Sequence, residues 1–150
     1  MGDVDRDDLL RALEGEVGVL IRRVRRVIGV RARAVHPDLQ PAAYLVLTAV
    51  AQDGPLRASA LSEAFDLDKG AVSRQVKHLV ELGLLVTARD PRDARASLLT
   101  ATDEARTRLT DVVLHRRKHL DERLAGWSDA DLASFVGVLG RYNAALDAAD

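Results

Sequence analysis

A short amphipathic segment in the middle of the chain, residues 69–82, carries small, polar and basic side chains away from its apolar side. At 100° per residue, Val72, Val76 and Leu79 fall on one side of a helix. The candidate contact residues on its other faces are Lys69, Gly70, Ser73, Arg74, Lys77 and His78. Glycine lets a backbone approach closely, serine and arginine can donate to base edges or phosphates, and lysine neutralises phosphate. The pattern predicts a helix that enters a DNA major groove, and an ordinary solvated helix fits it equally well.

A second basic cluster follows in the polar stretch 89–95, between two short apolar segments, 84–88 and 96–101, that are compatible with strands. Together they predict a β-hairpin whose tip holds the candidate contact residues Arg89, Arg92, Asp93 and Arg95. Pro91 fixes one backbone angle of the tip, and an aspartate there can bond nearby amides and hold an arginine in a fixed pose. A held arginine on a narrow hairpin can reach into a minor groove. A solvated hairpin with surface ion pairs is the alternative, but the neighbouring basic helix favours DNA binding.

These two segments share a sequence pattern with a known family. The run Ala71-Val-Ser-Arg-Gln-Val-Lys-His-Leu-Val-Glu-Leu-Gly-Leu, joined to Asp90-Pro-Arg-Asp-Ala-Arg, resembles the winged helix-turn-helix core of the MarR family of bacterial transcriptional regulators. The resemblance implies a homodimer whose N- and C-terminal helices interlock. It also implies that each subunit places a recognition helix in a major groove and a wing in the adjoining minor groove. A repressor that a small aromatic effector releases from DNA is the function expected of such a protein.

The resemblance carries roles to individual positions. Ser73 and Arg74 fall at recognition-helix contact positions, and Asp93 and Arg95 fall on the wing pair that holds the hairpin and enters the minor groove. The effector pocket of the family lies near Tyr44, although core packing is the favoured role for this tyrosine. Three positions depart from the family pattern and are expected to weaken the grip of the wing: Thr87, Ala94 and Ala101.

The elements that must position these residues can be predicted from periodicity and capping signals. Helices are expected over 7–34, 41–52, 56–65 and 69–82, with further helices following Thr102 and Ser128. Asp68 is expected to cap the start of the basic helix and Gly83 to end it. The fold class is therefore mainly α, with a winged helix-turn-helix core over 37–102, a two-stranded β wing, and dimerisation helices over 1–36 and 103–150. The apolar stripes of the terminal helices need a cover, and a second copy of the chain is the simplest candidate.

Composition and motifs exclude several other functions. The 150 residues include no cysteine, which removes disulfides, thiolate metal sites and a cysteine nucleophile. We expect no metal, because the three cations between His115 and His119 would repel one. No cofactor fingerprint or nucleophile motif is present, so we expect neither an enzyme nor a cofactor. No apolar run approaches the ~20 residues of a bilayer span, and the acidic N-terminus is unlike a secretory signal, so a cytoplasmic protein is expected.

The sequence thus predicts a cytoplasmic, homodimeric DNA-binding regulator of a pseudo-palindromic duplex site, with a possible small aromatic effector and no membrane partner. The formal net charge of −1 keeps two alternatives open. One is a winged-helix module that binds only proteins, and the other is a protein that binds small ligands without binding DNA.

Overall fold

The computed structural model describes residues 5–147 and confirms a mainly α-helical chain with a winged helix-turn-helix. The elements in chain order are α1 (Arg6–Val35), α2 (Pro41–Asp53), β1 (Leu56–Arg57), α3 (Ala58–Phe65), α4 (Lys69–Glu81), β2 (Leu85–Asp90), β3 (Asp93–Ala101), α5 (Asp103–Arg123) and α6 (Asp129–Asp147). The chain forms two compact units, the first ending at Val112 and the second beginning at Val113. No helix within residues 5–147 is long and apolar enough to span a bilayer.

The basic helix α4 begins and ends where its capping residues predict. The Asp68 carboxylate accepts a hydrogen bond from the Ala71 amide at 2.7 Å, which satisfies one of the free amides of the first turn. Gly83 follows the last turn with φ +71°, a left-handed conformation that glycine adopts without strain. The chain can therefore turn directly from α4 into the wing.

Two further predicted caps form in the structure. The Thr102 hydroxyl accepts a hydrogen bond from the Ala105 amide at 3.2 Å at the start of α5. Ser128 and Asp131 cap α6 reciprocally, with the Asp131 amide donating to the Ser128 hydroxyl at 3.1 Å and the Ser128 amide donating to the carboxylate at 3.2 Å. The hydrogen bonds from the Ser128 hydroxyl and amide hold the pKa of Asp131 below its usual value.

The sheet differs from the prediction in two ways. It has three antiparallel strands in the order β1-β3-β2, because Leu56 and Arg57 pair with Leu99 and Leu98 instead of beginning a helix. Residues 58–65 alone form α3. The hairpin strands also extend further than expected, so that only Pro91 and Arg92 lie between them. Pairing between strands overrides the polar composition of the tip, which had predicted a longer loop.

The core of the first unit lies between α2, α3, α4 and the sheet, together with the last turns of α1 and the first turns of α5. Its largest fully buried side chains are Val35, Val46, Leu47, Val50, Leu61, Val72, Leu79, Leu84, Leu85 and Leu99. Two arginines of α5 donate to carbonyl oxygens near the ends of other helices, Arg106 to that of Ala51 at 3.1 Å and Arg108 to that of Val35 at 2.9 Å. Cationic donors suit these positions because the last carbonyls of a helix lack intrahelical partners.

The predicted apolar stripes of the terminal helices are uncovered in a single chain. The predicted stripe of α1 is exposed at Leu20, Ile21 and Val24 and partly buried at Val17 and Ile28, and the structure adds further exposed apolar residues on the same side, Leu9, Leu10, Leu13 and Val27. In α6 the exposed members are Leu132, Phe135, Val136, Leu139 and Leu146. A soluble monomer rarely leaves such contiguous apolar surface in water, so each stripe is a candidate contact surface.

The residue that ends α3 offers a test of the helix-turn-helix turn. Asp66 has φ 49° and ψ 46°, the left-handed conformation that disfavours residues with a Cβ atom. Asp66→Gly should therefore keep or raise the free energy of unfolding. The free energy of unfolding of Asp66→Ala should be lower than that of the glycine variant by ~1 kcal/mol. Urea denaturation of both variants measures the difference. An alanine variant as stable as the glycine variant would show that this turn stores no backbone strain.

Candidate nucleic-acid interface

Helix α4 presents its predicted contact residues to solvent. Val72 and Leu79 are buried in the core, and Lys69, Gly70, Ser73, Arg74 and Lys77 are exposed. Within residues 5–147 the side chains of Ser73 and Arg74 make no hydrogen bond or ion pair, so their donors are available to a ligand. The Lys77 ammonium lies 3.9 Å from the Glu81 carboxylate, a loose surface pair worth ~0–1 kcal/mol.

Gly70 has a structural reason to be small. A Cβ atom at this position would lie 3.1 Å from the Asp68 carboxylate oxygen, closer than nine in ten real Cβ contacts, so the carboxylate would have to shift by a few tenths of an ångström. The glycine therefore gives the capping carboxylate room at the start of α4, and it also leaves the exposed face of the first turn flat.

The structure gives His78 a contact that the sequence pattern did not predict. The residue is partly buried, and Nε2 lies 3.0 Å from the carbonyl oxygen of Asp38, in the connection between α1 and α2. Periodicity alone places this residue on a flank of the contact face, and it could not reveal a partner forty positions earlier in the chain. His78 therefore holds α4 against the preceding connection, and its role as a DNA contact stays a prediction.

The wing carries three exposed arginines, Arg89, Arg92 and Arg95. In the described part of the chain none of their guanidinium groups is paired with a carboxylate. Asp93 accepts a hydrogen bond from the Arg95 backbone amide at 3.0 Å, so it orders the hairpin backbone and leaves the Arg95 side chain unheld. The predicted wing residues are thus brought together at one tip, and Asp93 acts there on the main chain.

The arginine that a wing aspartate does hold is Arg57, which the sequence analysis missed. Asp90 is 5% exposed, and its Oδ2 accepts from Arg57 Nε at 2.6 Å and lies 2.5 Å from Arg57 Nη2. Its other oxygen accepts from the Arg92 amide at 2.8 Å. No short-range pattern signals this pair, because Arg57 belongs to a two-residue strand that only the tertiary structure defines.

These contacts keep Asp90 ionised. The hydrogen bond from the Arg92 amide, followed by the hydrogen bond and charge of Arg57, lowers the pKa of Asp90 although burial by itself would raise it. A carboxyl group with a lowered pKa in the folded state stabilises the fold above its ordinary pKa and loses that contribution as the pH falls through the lowered value. The Arg57–Asp90 ion pair is therefore intact throughout the neutral range.

A cleft of about 630 Å³ opens beside this ion pair. Its lining comes from β1, the start of α3 and both the base and the tip of the wing, and includes Pro55, Arg57, Ser59, Asp90, Arg92 and Leu98. The predicted effector residue Tyr44 is not part of it. Tyr44 is 6% exposed and belongs to the hydrophobic core, which supports its packing role.

The remaining sequence predictions concern α5 and the departures from the family pattern. The Nε2 atoms of His115 and His119 lie 3.0 Å apart, so the two rings contact each other on one helix face. Within residues 5–147 no group of three or more metal-ligating side chains is assembled. Thr87 and Ala94 are exposed on the wing, whereas Ala101 is buried at the end of β3.

Comparisons with known proteins point to one family. A sequence model of the MarR family matches residues 38–96. The helix-turn-helix-type transcriptional regulator YxaD of Bacillus subtilis is 32% identical over 109 residues, which cover 73% of this chain and 76% of YxaD.

Solved structures show the same fold. The crystal structure of MarR superimposes with a TM-score of 0.72 at 20% identity, covering 97% of this chain and 95% of that one. A MarR family transcriptional regulator from Listeria monocytogenes, solved in complex with a 26mer DNA, gives a TM-score of 0.69 at 16% identity, covering 97% of this chain and 90% of the other.

Proposed function

Because this chain belongs to the MarR family of transcriptional regulators, we propose that it is itself a DNA-binding regulator that acts as a repressor on a pseudo-palindromic duplex site. The α4 residues that enter or flank a major groove are Lys69, Gly70, Ser73, Arg74, Lys77 and His78. Arg89, Arg92 and Arg95 of the wing reach the adjoining minor groove, with Asp93 ordering the hairpin. The protein performs no catalysis and acts in the cytoplasm, where its DNA is.

The observation that carries this proposal is that one folded unit presents two exposed cationic surfaces, one on α4 and one on the wing. Within residues 5–147 neither Arg74 nor any of the three wing arginines forms an ion pair with a carboxylate, although acidic residues are as numerous as basic ones in the chain, and Arg92 acts on Asp90 only through the longer-range effect of its charge. Caps at Asp68 and Gly83 fix where α4 begins and ends, and the Arg57–Asp90 ion pair ties the tip of the wing to β1. Unpaired donors on rigid elements suit phosphate and base-edge recognition.

We propose that the DNA-binding unit is a homodimer that buries the apolar stripes of α1 and α6. The stripes are exposed in one chain, and a second copy supplies an identical, self-complementary apolar surface. Two copies related by a twofold axis would read half-sites about one helical turn, ~34–36 Å, apart. This geometry makes the preferred site an inverted repeat.

Regulation by a small aromatic effector is the remaining part of the proposal. An effector that binds the DNA-free arrangement of the dimer more tightly than the DNA-bound arrangement would lower the affinity for DNA. The factor by which the affinity for DNA falls cannot exceed the ratio of the effector's affinities for the two arrangements. Candidate aromatic acids are first screened for those that raise the thermal stability of the protein. A compound that also releases bound DNA from the complex is identified as the effector.

A salt titration tests the DNA-binding proposal. We expect the purified protein to bind a duplex selected from a random pool, with log K falling against log[salt] by roughly 0.9 for each phosphate neutralised. The selected sequences should contain an inverted repeat. Absence of binding to any duplex at low ionic strength would contradict the proposal and favour a module that binds proteins or small ligands.

A further inference from the structure

The ion pair between Arg57 and Asp90 connects the wing to the element that precedes the helix-turn-helix. We infer that this pair is a positioning pair, which sets the direction of the wing and thereby the selectivity of the protein for the minor groove beside its major-groove site. The inference rests on the proposed function and concerns two residues outside the set of DNA contacts.

The topology of the sheet makes such a connection necessary. Strand β1 supports β3 only at Leu98 and Leu99, near the base of the wing. Beyond this point β2 and β3 form a two-stranded ribbon, and the exposed arginines lie on the unsupported part. Ribbons of two strands twist and bend readily, so a side-chain contact is needed to fix their direction.

The ion pair lies where the ribbon changes direction. The register shifts between the pairs Arg89–Ser97 and Asp90–Asp93, which leaves three extra residues, 94–96, on β3, and such an irregularity bends the strand that contains the extra residues. Asp90 is the β2 residue on the tip side of this bend, and it uses one oxygen for the turn and the other for Arg57. The same carboxylate therefore shapes the tip of the wing and anchors it to β1.

The Arg57–Asp90 contact is also better suited to fix the direction of the wing than an exposed surface ion pair would be. Asp90 is buried, so its hydrogen bonds are screened less than those of the pairs that Arg11, Lys77 and Arg108 form with exposed carboxylates. Arg57 donates through Nε and approaches with Nη2, which fixes the orientation of the guanidinium plane as well as its distance. Loss of either partner frees the bend without touching α4.

This separation predicts a selective defect. The wing arginines gain most from a narrow A·T minor groove, and they gain only when they are aimed into it. The contacts of α4 do not depend on the ion pair. A variant without the pair should therefore keep its affinity for the major-groove core of the site and lose its preference for A·T flanks.

The experiment uses the full chain and one duplex selected by the wild-type protein, prepared with its own flanks, with A·T flanks and with G·C flanks. Asp90→Asn keeps an oxygen that can accept from the Arg92 amide but removes the charge opposite Arg57. We expect Asp90→Asn and Arg57→Gln each to reduce the A·T-over-G·C preference by about fivefold or more, with less than a twofold change on the G·C-flanked duplex. Hydroxyl-radical footprints should lose protection in the flanks only.

Two further variants make the result specific. Glu104→Gln removes another arginine–carboxylate pair with the same 2.5 Å separation, the one between Glu104 and Arg108, and should leave the flank preference unchanged. The double variant Arg57→Gln/Asp90→Asn should lose no more preference than either single variant, because both act through one contact. Urea denaturation shows whether each variant is folded, and the double variant, which leaves no charge unpaired, keeps the test available if a single variant unfolds.

The outcomes separate the two proposals. If the wild type binds no duplex, the proposed function fails. If the wild type binds but shows no flank preference, or if folded Asp90→Asn and Arg57→Gln retain that preference, the positioning role is overturned while DNA binding stands. Additive losses in the double variant would also overturn it, because they would mean that the residues act independently.

Discussion

Replacing Arg74 by alanine is expected to raise the Kd for the selected duplex by about 5- to 150-fold, which corresponds to ~1–3 kcal/mol. The guanidinium of Arg74 is exposed on α4 and has no partner within residues 5–147, so the free protein loses no internal contact when it is removed. The whole effect therefore reports on the complex with DNA. Fluorescence anisotropy at fixed salt measures the change, and the free energy of unfolding should stay within ~0.5 kcal/mol of the wild type.

The matched control for this prediction is Arg22→Ala. Arg22 is also an exposed helical arginine, but it lies in the middle of α1 and is not among the proposed DNA contacts. Its removal should change the Kd by less than twofold. Equal losses in the two variants would mean that Arg74 contributes only general charge, and an unchanged Kd for Arg74→Ala would remove α4 as the reading helix.

Val136→Glu should convert the protein to a monomer at micromolar concentration and abolish binding to the inverted repeat. Val136 is 61% exposed in the single chain and lies on the apolar stripe of α6 with Leu132 and Leu139. A carboxylate there costs little in a monomer, where water still reaches it. In the dimer it would be a buried, unpaired charge, which is typically destabilising by several kcal/mol. Analytical ultracentrifugation and DNA titration measure the two effects.

Ser134→Glu supplies the control on the same helix. Ser134 is also exposed, but it lies about 160° around the helix from Val136 and about 100° or more from every member of the stripe. This variant should remain dimeric and bind DNA normally. If both variants dimerise, the stripe of α6 is not the interface, and if both are monomeric, the contact surface covers the whole helix.

The parts of the fold that sequence could predict are those encoded by neighbours along the chain. Asp68 and Gly83 are local signals, and the structure confirms α4 between them. The reciprocal cap of Ser128 and Asp131 is likewise formed by residues three positions apart. Exposure of the contact face of α4 followed from the 3.6-residue period of its buried residues.

The parts that sequence could not predict depend on partners far apart in the chain. Strand β1 is too short to carry a periodic signal and exists only through its pairing with β3. The partner of Asp90 lies on that strand, and the partner of His78 is a backbone carbonyl in another connection. The composition of the wing predicted that an aspartate of the tip holds a wing arginine, whereas the arginine that Asp90 holds is Arg57 on β1 and Asp93 bonds only the Arg95 backbone amide.

The backbone contacts at the tip of the wing bear on how fast the protein can engage DNA. Asp90 accepts from the Arg92 amide and Asp93 from the Arg95 amide, so the tip has its final shape before any duplex arrives. Association then needs no slow ordering of a loop, and its rate depends on diffusion and long-range attraction between charges. The lifetime of the complex, more than its rate of formation, is therefore where differences between strong and weak operators should be found.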